Sequence, residues 1–150
     1  MTEPPVVDAP ALVAAATDAL ALLAAYEATV SQHPALGPVL APYAADHDTH
    51  LEALAERITL PTSAPFPPLP TTAPTTTGPT SGAPAGPTNT APPVPTDPAG
   101  ARAAVVQAEI VTGEAARDAA RQARDGEVAR LLASIGASRA VHALLLAAPA

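Results

Sequence analysis

The chain has no cysteine, no tryptophan and no lysine, and only Tyr26, Tyr43 and Phe66 are aromatic. Without cysteine there are no disulfides, thiolate zinc sites or thiol nucleophiles, and the chain is indifferent to redox compartment. Without lysine, seven arginines stand against fourteen acids, for a formal charge of −7. A surface that neutralises phosphates needs clustered basic groups, so no nucleic-acid partner is expected. Arg117, Arg121 and Arg124 do step at helical spacing, but Glu114, Asp118 and Asp125 interleave them, and the stripe reads as a solvated face. There is also no glycine-rich phosphate loop.

The shortage of aromatics limits the core. Much of the 48% hydrophobic content is alanine, which buries little area at about 25 cal/mol per Å². Such a core holds together only through long helices in close contact, which alanine favours. One domain over residues 1–150 suits this length, and a homodimer is expected because a small core gains by burying one more face. No apolar run approaches the ~20 residues of a membrane span without a charge. Asp18 interrupts the best one, so no membrane span is expected. The N-terminus, MTEPPVVDAP, carries acids where a signal peptide needs bases. That implies a cytoplasmic chain, with an exported chain trimmed of its signal as the alternative.

What the sequence does have is punctuation. Thirteen of its twenty prolines fall between Pro61 and Pro98, so residues 61–97 cannot sustain regular hydrogen bonding. This Pro/Thr-rich linker reads as a long crossover connection, or else as a glycosylated or partner-binding stalk. Before it, Leu12, Ala16, Leu20, Leu23, Tyr26 and Val30 step by three and four along one helix. SQHPALGP breaks that helix, with His33 at a helix end or on the surface. A second helix then gathers Leu36, Val39, Leu40, Tyr43, His47, His50, Leu51, Leu54 and Ile58 on one face, its start bent or delayed by Pro38 and Pro42. After the linker, Thr96-Asp97-Pro98 predicts a cap and an N1 proline. Asp125-Gly126 breaks the chain near Arg124, and a fourth helix carries Val128, Leu131, Leu132, Ile135, His142 and Leu146. Nothing alternates with period two. The expected fold is therefore all-α, an antiparallel four-helix bundle made of two hairpins, 10–60 and 98–148, joined by a long crossover.

Ionisable groups lie on the apolar faces. At 100° per residue, His47 falls near the centre of its stripe and His50 about 60° away. Glu27 falls within about 40° of Leu23, Glu109 within about 60° of Val106, and His142 almost in line with Ile135, with Arg139 one turn back. Buried carboxylates and imidazoles must be paired or hold a metal. The Ser138–His142 pair, four apart on a helix, has neither an orienting acid nor an oxyanion motif in the sequence and reads as coincidence.

In this arrangement the chain resembles the ferritin-like superfamily, and HPALGPVL and RLLASIGAS are similar to ferritin-like domains of high-GC bacteria. Di-iron members of that superfamily use one Glu from each of two helices and a Glu-x-x-His pair from each of the other two. Glu27 and Glu109 stand where the single carboxylates would; His47-Asp48-Thr49-His50 and Arg139-Ala140-Val141-His142 stand where the pairs would. His47 and Arg139 thus replace both bridging glutamates. The resemblance then implies a degenerate centre. It would bind at most one divalent ion (iron, manganese or zinc) through Glu27, His47, His50, Glu109 and His142, with no ferroxidase turnover, and Arg139 would pair with a buried acid, most directly Glu109. Two alternatives stay open: a metal-free polar network in a structural or interaction module, and a working iron oxidase.

Overall fold

Aspartate and proline decide where the helices begin. A computed structural model describes residues 8–58 and 93–148, and among these the chain is helical with no strand. The four helices are α1 (Ala9–Gln32), α2 (Gly37–Arg57), α3 (Pro98–Gln122) and α4 (Gly126–Ala147), with a single 3-10 turn, Pro34–Leu36, before α2. Asp97 caps α3 by accepting from the Gly100 N–H at 2.6 Å, ahead of Pro98 in the first turn. Asp125 caps α4 through the Glu127 and Val128 N–H groups at 2.7 and 3.2 Å. The Asp97 cap follows the sequence reading, and the break expected at Asp125-Gly126 is where α4 starts. The delay expected from the prolines is the 3-10 turn; α2 then runs on through Pro42. The expected linker lies outside the described residues apart from its last few, 93–97.

All four helices belong to one compact unit. The closest packing is α3 on α4 and α1 on α2, with α1 also against α3 and only a thin seam between α2 and α4. Small residues permit the α3–α4 approach: a Cβ on Gly136 would lie 2.9 Å from the Gly113 carbonyl oxygen. Two apolar clusters fill the ends. Leu12, Leu54, Ala116, Val128, Leu132 and Ile135 form one; Leu22, Tyr26, Leu40, Val105 and Leu146 form the other. Polar groups tie the chain segments at each end. The buried Asp8 carboxylate accepts from the Arg124 and Asp125 N–H groups at 3.0 and 2.8 Å. At the opposite end His33, buried as the α1 C-cap, bonds through Nε2 to the Pro95 carbonyl at 2.8 Å.

Two expectations need correction. On α1 the buried stripe is Leu12, Ala15, Ala19, Leu22, Tyr26 and Thr29, about one residue out of phase with the one predicted. The larger leucines gave the misleading phase: Leu20 is exposed, and Ala15 and Ala19 take the close contacts instead. The second correction concerns partners. Asp18 does not disqualify α1 as a membrane span, because one or two ionisable groups leave a long helix apolar on average. By length and composition, α1 with 24 residues and α4 with 22 are both able to cross a membrane. The expectation of no span is withdrawn, and nothing among the described residues supports the expected homodimer.

Candidate metal centre

Each helix delivers one side chain to a common point between the two apolar clusters. Glu109 on α3, fully buried, is the hub. Its Oε1 accepts from the Tyr26 hydroxyl of α1 at 2.6 Å and lies 2.7 Å from His47 Nε2 of α2. His142 Nδ1 of α4 is 3.3 Å from the same oxygen. The His142 ring also meets Asp46 Oδ2 through Nε2 at 3.0 Å, so a carboxylate stands at both of its nitrogens. Rings pack edge to face around the hub: Tyr26 against His47 at 5.4 Å between centroids, His47 against His142 at 5.3 Å.

The electrostatics follow from this bracket. Burial is the largest influence on Glu109 and would raise its carboxyl. The bonds from His142, His47 and Tyr26 together outweigh it and hold the group at about 2. Burial likewise disfavours a charged His142, but the Glu109 bond and then Asp46 raise its pKa above the ordinary value. An imidazolium that donates to two carboxylates fits both observations. His50, one turn from His47, is pushed down to about 4, first by burial and then by the neighbouring His47, Arg139 and His142.

His47, Glu109 and His142 each offer one ligand atom, all within 4.8 Å of one another, so the buried cluster could hold one metal ion. Two of the residues expected at the site are not in this group. Glu27 is exposed on α1; the phase of that helix turns Tyr26 inward in its place. His50 is half-buried, its ring 5.8 Å from His47. Arg139 is fully buried as expected, but it does not bond Glu109. It donates instead to the Thr112 and Ala15 carbonyls at 3.1 and 3.4 Å.

Sequence reasoning passed over Tyr26 and Asp46 as site residues. In the sequence Tyr26 reads as core, and Asp46 is one of several acids beside His47 with no role assigned. The available signal was that each is polar and adjoins a residue already placed at the site. Ser138 Oγ lies 3.2 Å from His142 Nε2, and Glu109 supplies the orienting acid that the sequence did not show. Asp46 competes for the same nitrogen, however, and Ser138 sits inside α4, where backbone N–H groups are committed to the helix. No oxyanion donor accompanies it among the described residues. Comparison with protein-family models, curated proteins and solved structures gave no match for this chain.

Proposed function

We propose that this chain is a ferritin-like four-helix bundle, two antiparallel hairpins with a long crossover, whose metal centre is reduced to one divalent ion held by His47, Glu109 and His142. The observation that carries the proposal is the convergence of three buried ligand atoms within 4.8 Å. Imidazole with carboxylate suits zinc, manganese or ferrous iron. A second ion is disfavoured because, among the described residues, Glu109 is the only fully buried carboxylate, and Arg139 adds a fixed positive charge one turn from His142. Without carboxylates to bridge two ions, the site has no ferroxidase pair. The ion displaces the extra ring proton of the His142 imidazolium, so binding releases a proton.

The second reading is a metal-free structural or interaction bundle. It is favoured by the three bonds that Glu109 Oε1 already accepts, which could key four alanine-rich helices to one another. Metal analysis of protein purified without a His tag separates the two, together with anaerobic calorimetric titration with Zn(II), Mn(II) and Fe(II). One ion per chain, lost in Glu109→Gln and in His142→Ala, is expected. No binding by any of the three ions leaves the structural reading standing.

A further inference from the structure

Four buried side-chain polar atoms lack a hydrogen-bond partner among the described residues: His47 Nδ1, His50 Nδ1, Glu109 Oε2 and Arg139 Nε. They fall in two adjacent layers. His47, Glu109 and His142 form the first. One turn toward the Asp125 end, His50 follows His47 on α2, Thr112 follows Glu109 on α3, and Arg139 precedes His142 on α4. All three helices step the same way, since Leu54 of α2 packs in the cluster of Ala116 and Val128 at that end. Buried polar atoms are ordinarily satisfied, so four orphans in two neighbouring layers point to something held between them.

A cation answers only part of this. It takes the lone pairs of Glu109 and the imidazoles, but the Arg139 Nε–H is a donor and needs an electron pair. Its two terminal nitrogens are already committed to backbone carbonyls, and neither bond reaches a carboxylate. Charge makes the same demand. A divalent ion and a guanidinium give three positive charges against one from Glu109, in a region where uncompensated charge is heavily penalised. The acids nearby are weak counter-ions. Asp46 is 58% exposed; Asp18 is half-buried, and burial pushes its carboxyl up against the pull of Arg139.

We infer that the cation is bound together with a small oxyanion, one oxygen on the metal and another accepting from the Arg139 Nε–H. This rests on the single-metal reading above. One free N–H suits an anion of bicarbonate size; phosphate or sulfate would call for several donors. Glu109 is also among the residues lining a groove between α3 and α4, with Val106, Ile110, Ala140 and Leu144.

The test is calorimetric titration of the full, tag-free chain with Zn(II), in carbonate-free buffer and with added bicarbonate. Bicarbonate should tighten Zn(II) by about tenfold or more, within the usual range of coupling between two ligands. By reciprocity, 13C-bicarbonate should show a bound signal only in the zinc-loaded protein. Arg139→Met should keep one Zn(II) per chain and lose the bicarbonate effect; if it does not fold, Arg139→Gln, which keeps polar contacts, carries the same comparison. Equal Zn(II) affinity with and without bicarbonate overturns the anion inference alone. Absence of Zn(II) binding under both conditions overturns the metal reading beneath it.

Discussion

Glu109 concentrates three hydrogen bonds on one oxygen and, among the described residues, leaves the other without any, and this asymmetry sets how the metal-free protein responds to pH. Its carboxyl, ordinarily near 4.5, is held at about 2. The stabilisation it provides is complete above 4.5 and disappears as pH falls through about 2. His142 is raised above 6.5, so its contribution is complete below 6.5 and is lost as pH rises through the raised value. Both are complete together between 4.5 and 6.5. Melting temperature of chelator-treated protein should peak in that window, and Glu109→Gln should flatten the profile and lower the His142 pKa read by NMR. Arg139 gives a second expectation. Because the guanidinium is buried without a direct carboxylate, Arg139→Met should leave metal-free stability unchanged or raise it by up to about 2 kcal/mol. A marked loss by chemical denaturation would show that Asp18 or the two carbonyls hold it more firmly than the geometry implies. His47, Glu109, His142 and Arg139 were legible in the sequence because helical phase on α2, α3 and α4 was well marked by Leu, Val and Ile. Glu27 misled because α1 carries leucines on two neighbouring stripes, and only packing against small alanines decides between them.

Among the elements, the crossing of α3 and α4 is the most sensitive to a single atom. Alanine in place of an exposed helical glycine usually gains about 1 kcal/mol in propensity. At Gly136 the new Cβ would meet the Gly113 carbonyl at 2.9 Å and the Arg117 side chain at 2.6 Å. Backbone cannot yield as a side chain does, so the helices would have to separate. Gly136→Ala should therefore destabilise by about 1–3 kcal/mol and weaken Zn(II) binding as well, since Glu109 and His142 sit on the two displaced helices. Gly113→Ala, whose Cβ would meet Arg139 Cβ at 3.1 Å, should be milder. Thermal melts of the two variants, each with and without zinc, check the ranking. The helix boundaries were legible for a local reason: Asp97-Pro98 and Asp125-Gly126 act within one turn of themselves. The glycine crossing was not, because nothing in one helix reports how near another helix comes.

On the scale of the whole molecule, the connection between Arg57 and Pro98 has a minimum length. Arg57 pairs with Glu127 at the start of α4, whereas Pro95 sits at the end of α1 with Gln32 and His33. The link must run the length of α2, about 32 Å at 1.5 Å per residue, which roughly ten extended residues can cover. Replacing residues 60–92 with a Gly/Ser segment of about fifteen residues should preserve helicity and metal stoichiometry, because loop length enters stability only logarithmically. Loss of the cooperative melt would show that the replaced segment contributes packing. A last consequence comes from where the ligands lie along the chain. His47 is on one side of the 59–92 interval and Glu109 and His142 on the other, and the cluster around Leu12 and Leu54 is completed by Leu132 and Ile135. Cut within that interval, the protein becomes two fragments that each hold an incomplete coordination sphere and an incomplete core. A covalent link gives each half a high effective concentration of the other. Co-expressed fragments 1–58 and 93–150 should reassemble, and Zn(II) should act as a chemical inducer of that pairing. A split reporter fused to the cut ends would then read metal availability as association.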